Sequence, residues 1–409
     1  MKTLPIAALL LAALAATTLF ASVPPQDEDV ADLVARLTAR AEQSMENDSL
    51  DGLVVIVGVG DEILLQRGWG RLPGGGLAEP SSAVRAAPLV DTLAVIAAMQ
   101  LVEDGKLELD KPIGAYLEGL EWEGTEVTVH HVLSQTSGLI GWSAAYEAKG
   151  AGDADVASLL AIVKEQGVQS APGDCFEYSE SNALIVGALV EAAANKPLAE
   201  VITERILIRA GAESTGFDVD DAPPLQEEAG CSVEIGGEQV SVSHSAHAFG
   251  EDEFCASALD LFRVRRAMTA RKIAADSTVD AMTEPKRLND GSEIGYGYGM
   301  TLAELGEFVG LTSGGSAHGT TVHFAFYPEP EVTVVVLVAA EQAPLMELER
   351  ALARPVRALP LPLVDQRLAL VRHAHIGPHR ERSPPRFGDL GGHLVGQILL
   401  HVADHHVGP

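Results

Sequence analysis

The residues that could supply hydrolytic chemistry in this chain are hydroxyl groups and the bases that would activate them. A serine followed three residues later by a lysine on a helix sets a nucleophile beside its base, because positions i and i+3 share one helix face. The 409-residue chain contains no such serine. Thr269 and Thr283 precede Lys272 and Lys286 at this spacing. The sequence therefore offers no Ser-x-x-Lys pair for acyl transfer.

The histidines do not suggest a metal site. His244 and His247 form a His-x-x-His pair, and the C-terminal segment contains His405-His406. No third ligand at a fixed spacing accompanies either pair, whereas protein zinc sites use three or four ligands. We predict neither a metal nor another cofactor.

Several segments resemble, in order, landmarks of the serine β-lactamase and penicillin-binding-protein superfamily, especially its class C-like branch. The most specific reads Thr-Val-His-His-Val-Leu-Ser-Gln-Thr-Ser-Gly-Leu, where the family has a similar segment with histidine at the position of Gln135. The other segments lie at residues 100–117, 172–187, 257–261 and 295–299. The resemblance extends from about Gly52 to Ala340 and implies the fold of that superfamily.

The same resemblance indicates that the catalytic motifs are degenerate. A gap-free alignment back from Gln100 puts Pro88 at the serine position and Asp91 at the lysine position. Proline suits the first turn of a helix, and an acidic residue there interacts favourably with the helix dipole. These replacements favour helix stability over catalysis, although Asp91 could equally be an ordinary N-terminal helix charge.

The second and third motifs are also altered. Tyr178 matches the family tyrosine, as a relict proton relay or as a packed core tyrosine, and Ser179 and Glu180 follow it. Glu180 stands where the resemblance implies asparagine. The third motif aligns with Thr312-Ser313-Gly314, or with Leu311 first in a shifted register, so the expected cation is missing. We predict that Ser179, Glu180, Thr312, Ser313 and Gly314 line the former active-site cleft, although residues 313–315 could be only a strand end.

Hydrophobic periodicity predicts the elements that must position these residues. Helical spacing indicates helices over about 27–45 and 92–102, and apolar β-branched runs indicate strands at 53–59, 62–66, 308–311, 320–327 and 332–339. Strands near both termini with a helical middle predict an α+β fold. We expect one antiparallel sheet built from both termini and flanked by helices, with an inserted, mainly helical region at about 110–290.

The ends of the chain differ from the middle in composition. Residues 1–23 read as a signal peptide or an N-terminal anchor, since one early lysine precedes a long apolar run. Residues 24–345 are predicted to form the β-lactamase-like domain. Residues 346–409 are rich in Arg, His and Pro, and we predict a disordered tail. The three cysteines match no metal motif, and we expect free thiols.

The net charge and the N-terminal segment limit the binding partners and the compartment that we expect for the protein. A formal net charge of -30 disfavours nucleic acid and anionic membrane surfaces. The N-terminal segment predicts a periplasmic or extracellular protein, membrane-attached only if that segment stays uncleaved.

The sequence is compatible with three functional hypotheses. In the first, an inactive member of the fold binds a small molecule or peptide, of cell-wall origin by resemblance, through the old cleft. In the second, the chain is an active serine hydrolase of β-lactamase, carboxypeptidase or esterase type whose displaced nucleophile is Ser82, Thr92 or Ser179. The third is a purely structural exported protein.

Overall fold

The structure is a computed structural model, and it describes seven stretches of the chain and one short hairpin. The stretches are residues 27–73, 75–150, 154–217, 254–317, 319–340, 343 and 345–356, and the hairpin strands are 234–235 and 238–239. The predicted signal segment, His244, His247 and most of the predicted tail lie outside these residues.

A six-stranded antiparallel sheet joins the two ends of the domain. In chain order the described strands are β1 (Gly52–Val59), β2 (Glu62–Gly70), β3 (Ala83–Arg85), β4 (Gly216–Phe217), β5 (Glu234–Ile235), β6 (Glu238–Gln239), β7 (Phe254–Ser257), β8 (Thr301–Leu305), β9 (Phe308–Ala317), β10 (Thr320–Tyr327) and β11 (Val332–Val338). The large sheet has the order β2-β1-β11-β10-β9-β8. Leu53 of β1 pairs with Val338 of β11, which confirms the predicted sheet made from both termini.

Helices cover both faces of this sheet. The described α-helices are α1 (Asp27–Asn47), α2 (Pro88–Glu103), α3 (Val129–Leu133), α4 (Ser143–Ala148), α5 (Val156–Gln166), α6 (Glu180–Ala194), α7 (Leu198–Ile202), α8 (Ile208–Ala210), α9 (Ala258–Thr269), α10 (Asp276–Thr283) and α11 (Leu345–Val356). Between α7 and α8 the chain forms a π-helical turn, Thr203–Leu207. The α+β architecture predicted from the sequence is confirmed.

The central strands β1 and β11 are buried on both faces, which explains their unbroken apolar sequences. Alternate residues point to opposite sides of a sheet. On one side Val55 and Val334 pack with α1 and α11. On the other side Ile56 and Val335 belong to the core that contains α2 and α9. The domain therefore has three layers with α2 against the sheet.

The predicted boundary between domain and tail is wrong, because residues 345–356 form α11. Leu348, Leu352 and Val356 are buried against the sheet. Tyr327 of β10 donates a buried hydrogen bond of 2.9 Å to the Glu349 carboxylate of this helix. The arginine-rich composition after residue 350 concealed this apolar stripe.

The inserted region also differs in detail from the prediction. It is largely helical, but β3, β7 and β4 form a three-stranded sheet that the sequence did not indicate.

Cys255 of β7 is disulfide-bonded and Cys175 is free, so the expectation of free thiols holds only in part. Across the described residues no helix is long and apolar enough to cross a membrane.

Candidate active site

Pro88 is the first residue of α2, as the alignment predicted. Proline is well suited to this position because its missing N–H would have no partner inside the helix. The proline ring lies against β9: a Cβ atom added at Gly315 would be 2.6 Å from both Cβ and Cγ of Pro88. The position that the resemblance assigns to the nucleophile is therefore filled by a ring packed on the third-motif strand.

Asp91, one turn further along α2, contacts the second motif. The Tyr178 hydroxyl donates a hydrogen bond of 3.2 Å to Asp91 Oδ2. The two residues are far apart in the sequence, and the resemblance assigns them to the lysine and tyrosine positions. Their contact supports the gap-free alignment of α2 and joins the first two motifs.

The carboxyl group of Asp91 is electrostatically unusual. Burial raises its pKa to about 6, the hydrogen bond from Tyr178 opposes this shift, and the charge of Glu180 adds to it. Loss of solvation penalises the charged form of a carboxylate, and a neighbouring carboxylate does the same. Asp91 and Glu180 thus make the site acidic where the resemblance implies a lysine and an amide.

Gln135 holds the second motif in place. It adopts a left-handed backbone conformation with φ of 58°. Its Oε1 accepts hydrogen bonds from the Ser179 N–H at 3.0 Å and from Asn182 Nδ2 at 2.6 Å. Ser179 is the N-cap of α6, where its hydroxyl accepts from the Ser181 N–H at 3.3 Å. Gln135, which the sequence analysis noted only as a lost histidine, therefore positions the start of α6.

The third motif reaches the site through Ser313. Its hydroxyl lies 2.6 Å from Thr92 Oγ1, and Thr92 in turn donates to the Gly299 carbonyl at 3.3 Å. Strand alternation places Ser313 and Gly315 on the α2 face of β9. The predicted cleft residues Thr312 and Gly314 lie in the opposite phase of the strand, and Thr312 Oγ1 donates to the Thr301 carbonyl of β8 at 3.5 Å.

The N-terminal end of α2 thus contacts both β9 and the residues at the start of α6. We call this place the motif junction and define it by Pro88, Asp91, Tyr178, Glu180 and Ser313. The structure brings together Pro88, Asp91 and Tyr178 with Ser313 from β9. Among these residues only Asp91, Tyr178 and Glu180 carry ionisable side chains.

One site residue was missed by the sequence analysis. Tyr296 was noted only within a glycine-rich landmark, yet its side chain is buried. Burial raises the pKa of Tyr296 far above its usual range, the negative charge of Asp91 adds to this, and a hydrogen bond with Gln135 opposes it. A tyrosine between two glycines could have been singled out, since glycines allow close backbone approach.

A metal-based alternative finds no support in the described part of the chain. No group of three or more His, Cys, Asp or Glu side chains there could hold a metal ion. His130 and His131, the described histidine pair, bond to Tyr298 and Thr128 instead.

Comparison with known proteins agrees with this geometry. The model of the Beta-lactamase family matches residues 37–357. The chain belongs to the β-lactamase family. Esterase EstB of Burkholderia gladioli is 28% identical over 321 residues, which cover 68% of this chain and 81% of the esterase. The family relatives also include D-aminopeptidases of Brucella species, 24% identical over 61% of this chain and 50% of the relative.

A putative penicillin-binding protein of Bacillus subtilis is 26% identical over 52% of this chain and 51% of its own length. The chain therefore spans about half of that relative and of the D-aminopeptidases. Among solved structures, the octameric penicillin-binding protein homologue from Pyrococcus abyssi matches with a TM-score of 0.63 and 19% identity, covering 79% of this chain and 77% of that one. The D-amino acid amidase from Ochrobactrum anthropi matches with a TM-score of 0.63 at 16% identity, covering 84% and 100%. These structural likenesses show that the chain has the fold of these proteins.

Proposed function

We propose that this protein is a catalytically inactive member of the β-lactamase family that binds a small molecule or peptide at the motif junction. The single observation that carries the proposal is the contact between Tyr178 and Asp91, with Pro88 one turn earlier on α2. It supports an alignment in which Pro88 occupies the position of the nucleophilic serine and Asp91 occupies the position of the lysine base. Loss of a catalytic serine alone lowers turnover about 10⁶-fold in a comparable triad enzyme.

The alternative of a displaced nucleophile is less well supported by the hydroxyl groups available. Ser82 Oγ donates to the Leu77 carbonyl and accepts from the Glu79 N–H, both at 3.2 Å. Ser179 caps α6, and the hydroxyl of Thr92 bonds to Ser313 and to a carbonyl. None of these contacts supplies the lysine or histidine base that an activated hydroxyl needs.

The charges at the motif junction favour particular ligands. Asp91 and Glu180 are carboxylates, and the third-motif position offers Thr312 or Leu311 in place of a cation. A ligand carboxylate would be repelled, whereas an amine or a neutral amide group would be accepted. We propose a neutral or cationic ligand, with amidated cell-wall peptide fragments as the first class to test.

The compartment is also part of the proposal. The apolar segment near the N-terminus predicts export, and a disulfide-bonded Cys255 supports an oxidising compartment. Fractionation of expressing cells, with and without residues 1–23, tests this assignment. Retention of the full chain in the reducing cytosol would contradict it.

The chemical test uses a fluorescent penicillin and a serine-reactive fluorophosphonate, followed by intact-mass measurement. The unmodified protein is expected to form no adduct, because no nucleophile with a base occupies the junction. The Pro88→Ser/Asp91→Lys variant is the matched positive control and is expected to acylate slowly, since the third-motif cation is still missing. A stoichiometric adduct on the unmodified protein, mapped to Ser82, Thr92 or Ser179, would overturn the proposal.

The binding test compares two peptides that differ only at the C-terminus, a D-Ala-D-Ala carboxylate and its carboxamide. Ligand-observed NMR is expected to show tighter binding of the carboxamide. Glu180→Gln should reduce the difference because it removes one repelling charge, whereas the exposed control Glu123→Gln should leave it unchanged. Tighter binding of the carboxylate, or binding of neither peptide, would contradict the proposed ligand class.

A further inference from the structure

A cavity of about 510 Å³ opens at the C-terminal end of α2, the end opposite the motif junction. Four cations line it: Arg205, Arg209, Arg271 and Lys272. We call this cavity the basic pocket. The whole chain has 28 basic residues against 58 acidic ones, so four cations around one cavity depart from its general charge. Neither the family motifs nor the motif junction explains them.

The cations of the basic pocket are only partly neutralised. Arg205 pairs with Asp104 at 2.9 Å, and Arg271 makes a two-point contact with Asp276, one of its bonds being 2.9 Å. With Glu103, the lining holds three carboxylates against four cations. Within the described residues no carboxylate lies at ion-pair distance from Arg209 or Lys272. Both side chains are exposed at the rim, so an anion could reach them.

The backbone around the basic pocket is irregular at two points. Arg205 lies in the π-helical turn Thr203–Leu207, which is closed by the hydrogen bond from the Ile208 N–H to the Thr203 carbonyl. Arg271 has a positive φ of 57°, which residues other than glycine rarely adopt. π-turns and strained backbone are concentrated at functional sites. Two of the four cations are thus presented by unusual backbone conformations.

Gln100 contributes a buried acceptor to the wall of the basic pocket. Its Nε2 donates to the Arg205 carbonyl at 3.3 Å and to the Ile273 carbonyl, which fixes the orientation of the amide. Its Oε1 has no hydrogen-bond partner in the described structure, although the residue is only 5% exposed. A buried acceptor without a donor destabilises the fold. A ligand that supplies an O–H would relieve this.

We propose that the basic pocket binds a small oxyanion that carries a hydroxyl group, of which monohydrogen phosphate is the simplest. Guanidinium groups and a lysine recognise the oxygens of such an anion, and its O–H is a donor for Gln100 Oε1. The N-terminus of α10 in the same wall is already capped by Glu103, whose Oε2 accepts from the Ala275 N–H at 3.2 Å and from Thr278 Oγ1 at 2.9 Å, so the cations and Gln100 carry the recognition. The volume exceeds that of phosphate alone, so a phosphate monoester whose alcohol part carries a hydroxyl, such as glycerol phosphate, also fits. This site is independent of the function proposed for the motif junction.

The test is isothermal titration at constant ionic strength with inorganic phosphate, glycerol phosphate and sulfate. Phosphate is expected to bind saturably with one site per chain. Sulfate, a dianion without an O–H at neutral pH, is expected to bind at least several-fold more weakly. Glycerol phosphate separates an organic ligand from the free anion: tighter binding than phosphate identifies a phosphate monoester, and equal or weaker binding identifies the free anion as the ligand.

The variant Arg209→Gln/Lys272→Gln is expected to weaken phosphate binding at least tenfold. Both side chains are exposed and have no ion pair in the described structure, so the variant should fold, which its unchanged melting temperature would show. The matched control Arg36→Gln/Lys149→Gln removes two exposed cations that do not line the pocket. Absence of saturable binding, equal binding of sulfate, or equal loss in the control would overturn the proposal.

Discussion

One face of the six-stranded sheet packs against α1 and α11, and the other packs against α2 and α9. The first face is closed by apolar side chains such as Leu37 and Leu352, with the Tyr327–Glu349 hydrogen bond as a polar exception. The second face also has an apolar core, but at one edge it contains Asp91 and Ser313 with their hydrogen-bond partners.

The difference shows that one face of the sheet is almost entirely a packed apolar core, whereas the other also holds buried polar groups. The α1/α11 face has only to exclude water, so its pattern follows helix and strand periodicity. On the α2 face, α2 and β9 approach each other closely at Pro88 and Gly315. Asp91 and Glu180 form an acidic, partly buried cluster there, and ionisation of Asp91 opposes folding. Variants on the two faces separate the effects of packing from the effects of buried charge.

The largest effect is expected from Leu352→Ala on α11. Leu352 is fully buried against the sheet, so its truncation leaves a cavity and should lower the free energy of unfolding by about 2–5 kcal/mol. Urea unfolding measures the loss. The control Leu77→Ala alters a leucine that is 62% exposed and should change stability by less than about 0.5 kcal/mol. A loss below about 1 kcal/mol for Leu352→Ala would show that α11 is not part of the core.

The next effect is a pH-dependent gain from Asp91→Asn. The pKa of Asp91 is raised from 3.8 to about 6 in the folded protein, so the folded state binds the proton more tightly than the unfolded state. The stabilisation that comes from this tighter proton binding is fully present below about pH 4, and it is lost as the pH rises through about 6 and Asp91 ionises in the folded protein. The shift corresponds to roughly 3 kcal/mol, since each pKa unit is worth about 1.4 kcal/mol.

Asp91→Asn keeps an acceptor for Tyr178 but cannot ionise. It should therefore be more stable than the parent by up to roughly 3 kcal/mol at pH 7.5, and the gain should vanish near pH 4. Denaturant unfolding at both pH values measures this, with the exposed Glu123→Gln as control. A gain of the same size at both pH values would show that ionisation is not its cause.

The smallest effect tests the contact between Pro88 and Gly315. In Gly315→Ala the added Cβ would meet the Pro88 ring at 2.6 Å, and overpacking of this kind lowers stability by about 1–3 kcal/mol. Replacing Pro88 by glycine first should remove most of that loss. A double-mutant cycle in urea gives the coupling, and an interaction energy near zero would mean that α2 and β9 do not meet here.

The sequence allowed the sheet and the start of α2 at Pro88 to be predicted because both depend on local pattern. β1, β10 and β11 are apolar runs bounded by turns, and Pro88 and Asp91 follow from an unbroken helix. Residues such as Gln135 and Tyr296 could not be assigned roles, because their contacts come from segments distant in the chain. The helix α11 had a readable stripe at Leu345, Leu348 and Leu352, but the change in composition after it outweighed this signal.

The pairing of β1 with β11 also has a consequence for the order of folding. These strands come from opposite ends of the domain, so the central pair of the sheet forms only after Val338 has been synthesised. Contacts of such long sequence separation slow folding, because the intervening chain must lose entropy before they form. An early segment such as β1 and β2 has no complete sheet to join. The central strand pair therefore closes late, and the domain cannot complete its fold while its chain is still being synthesised.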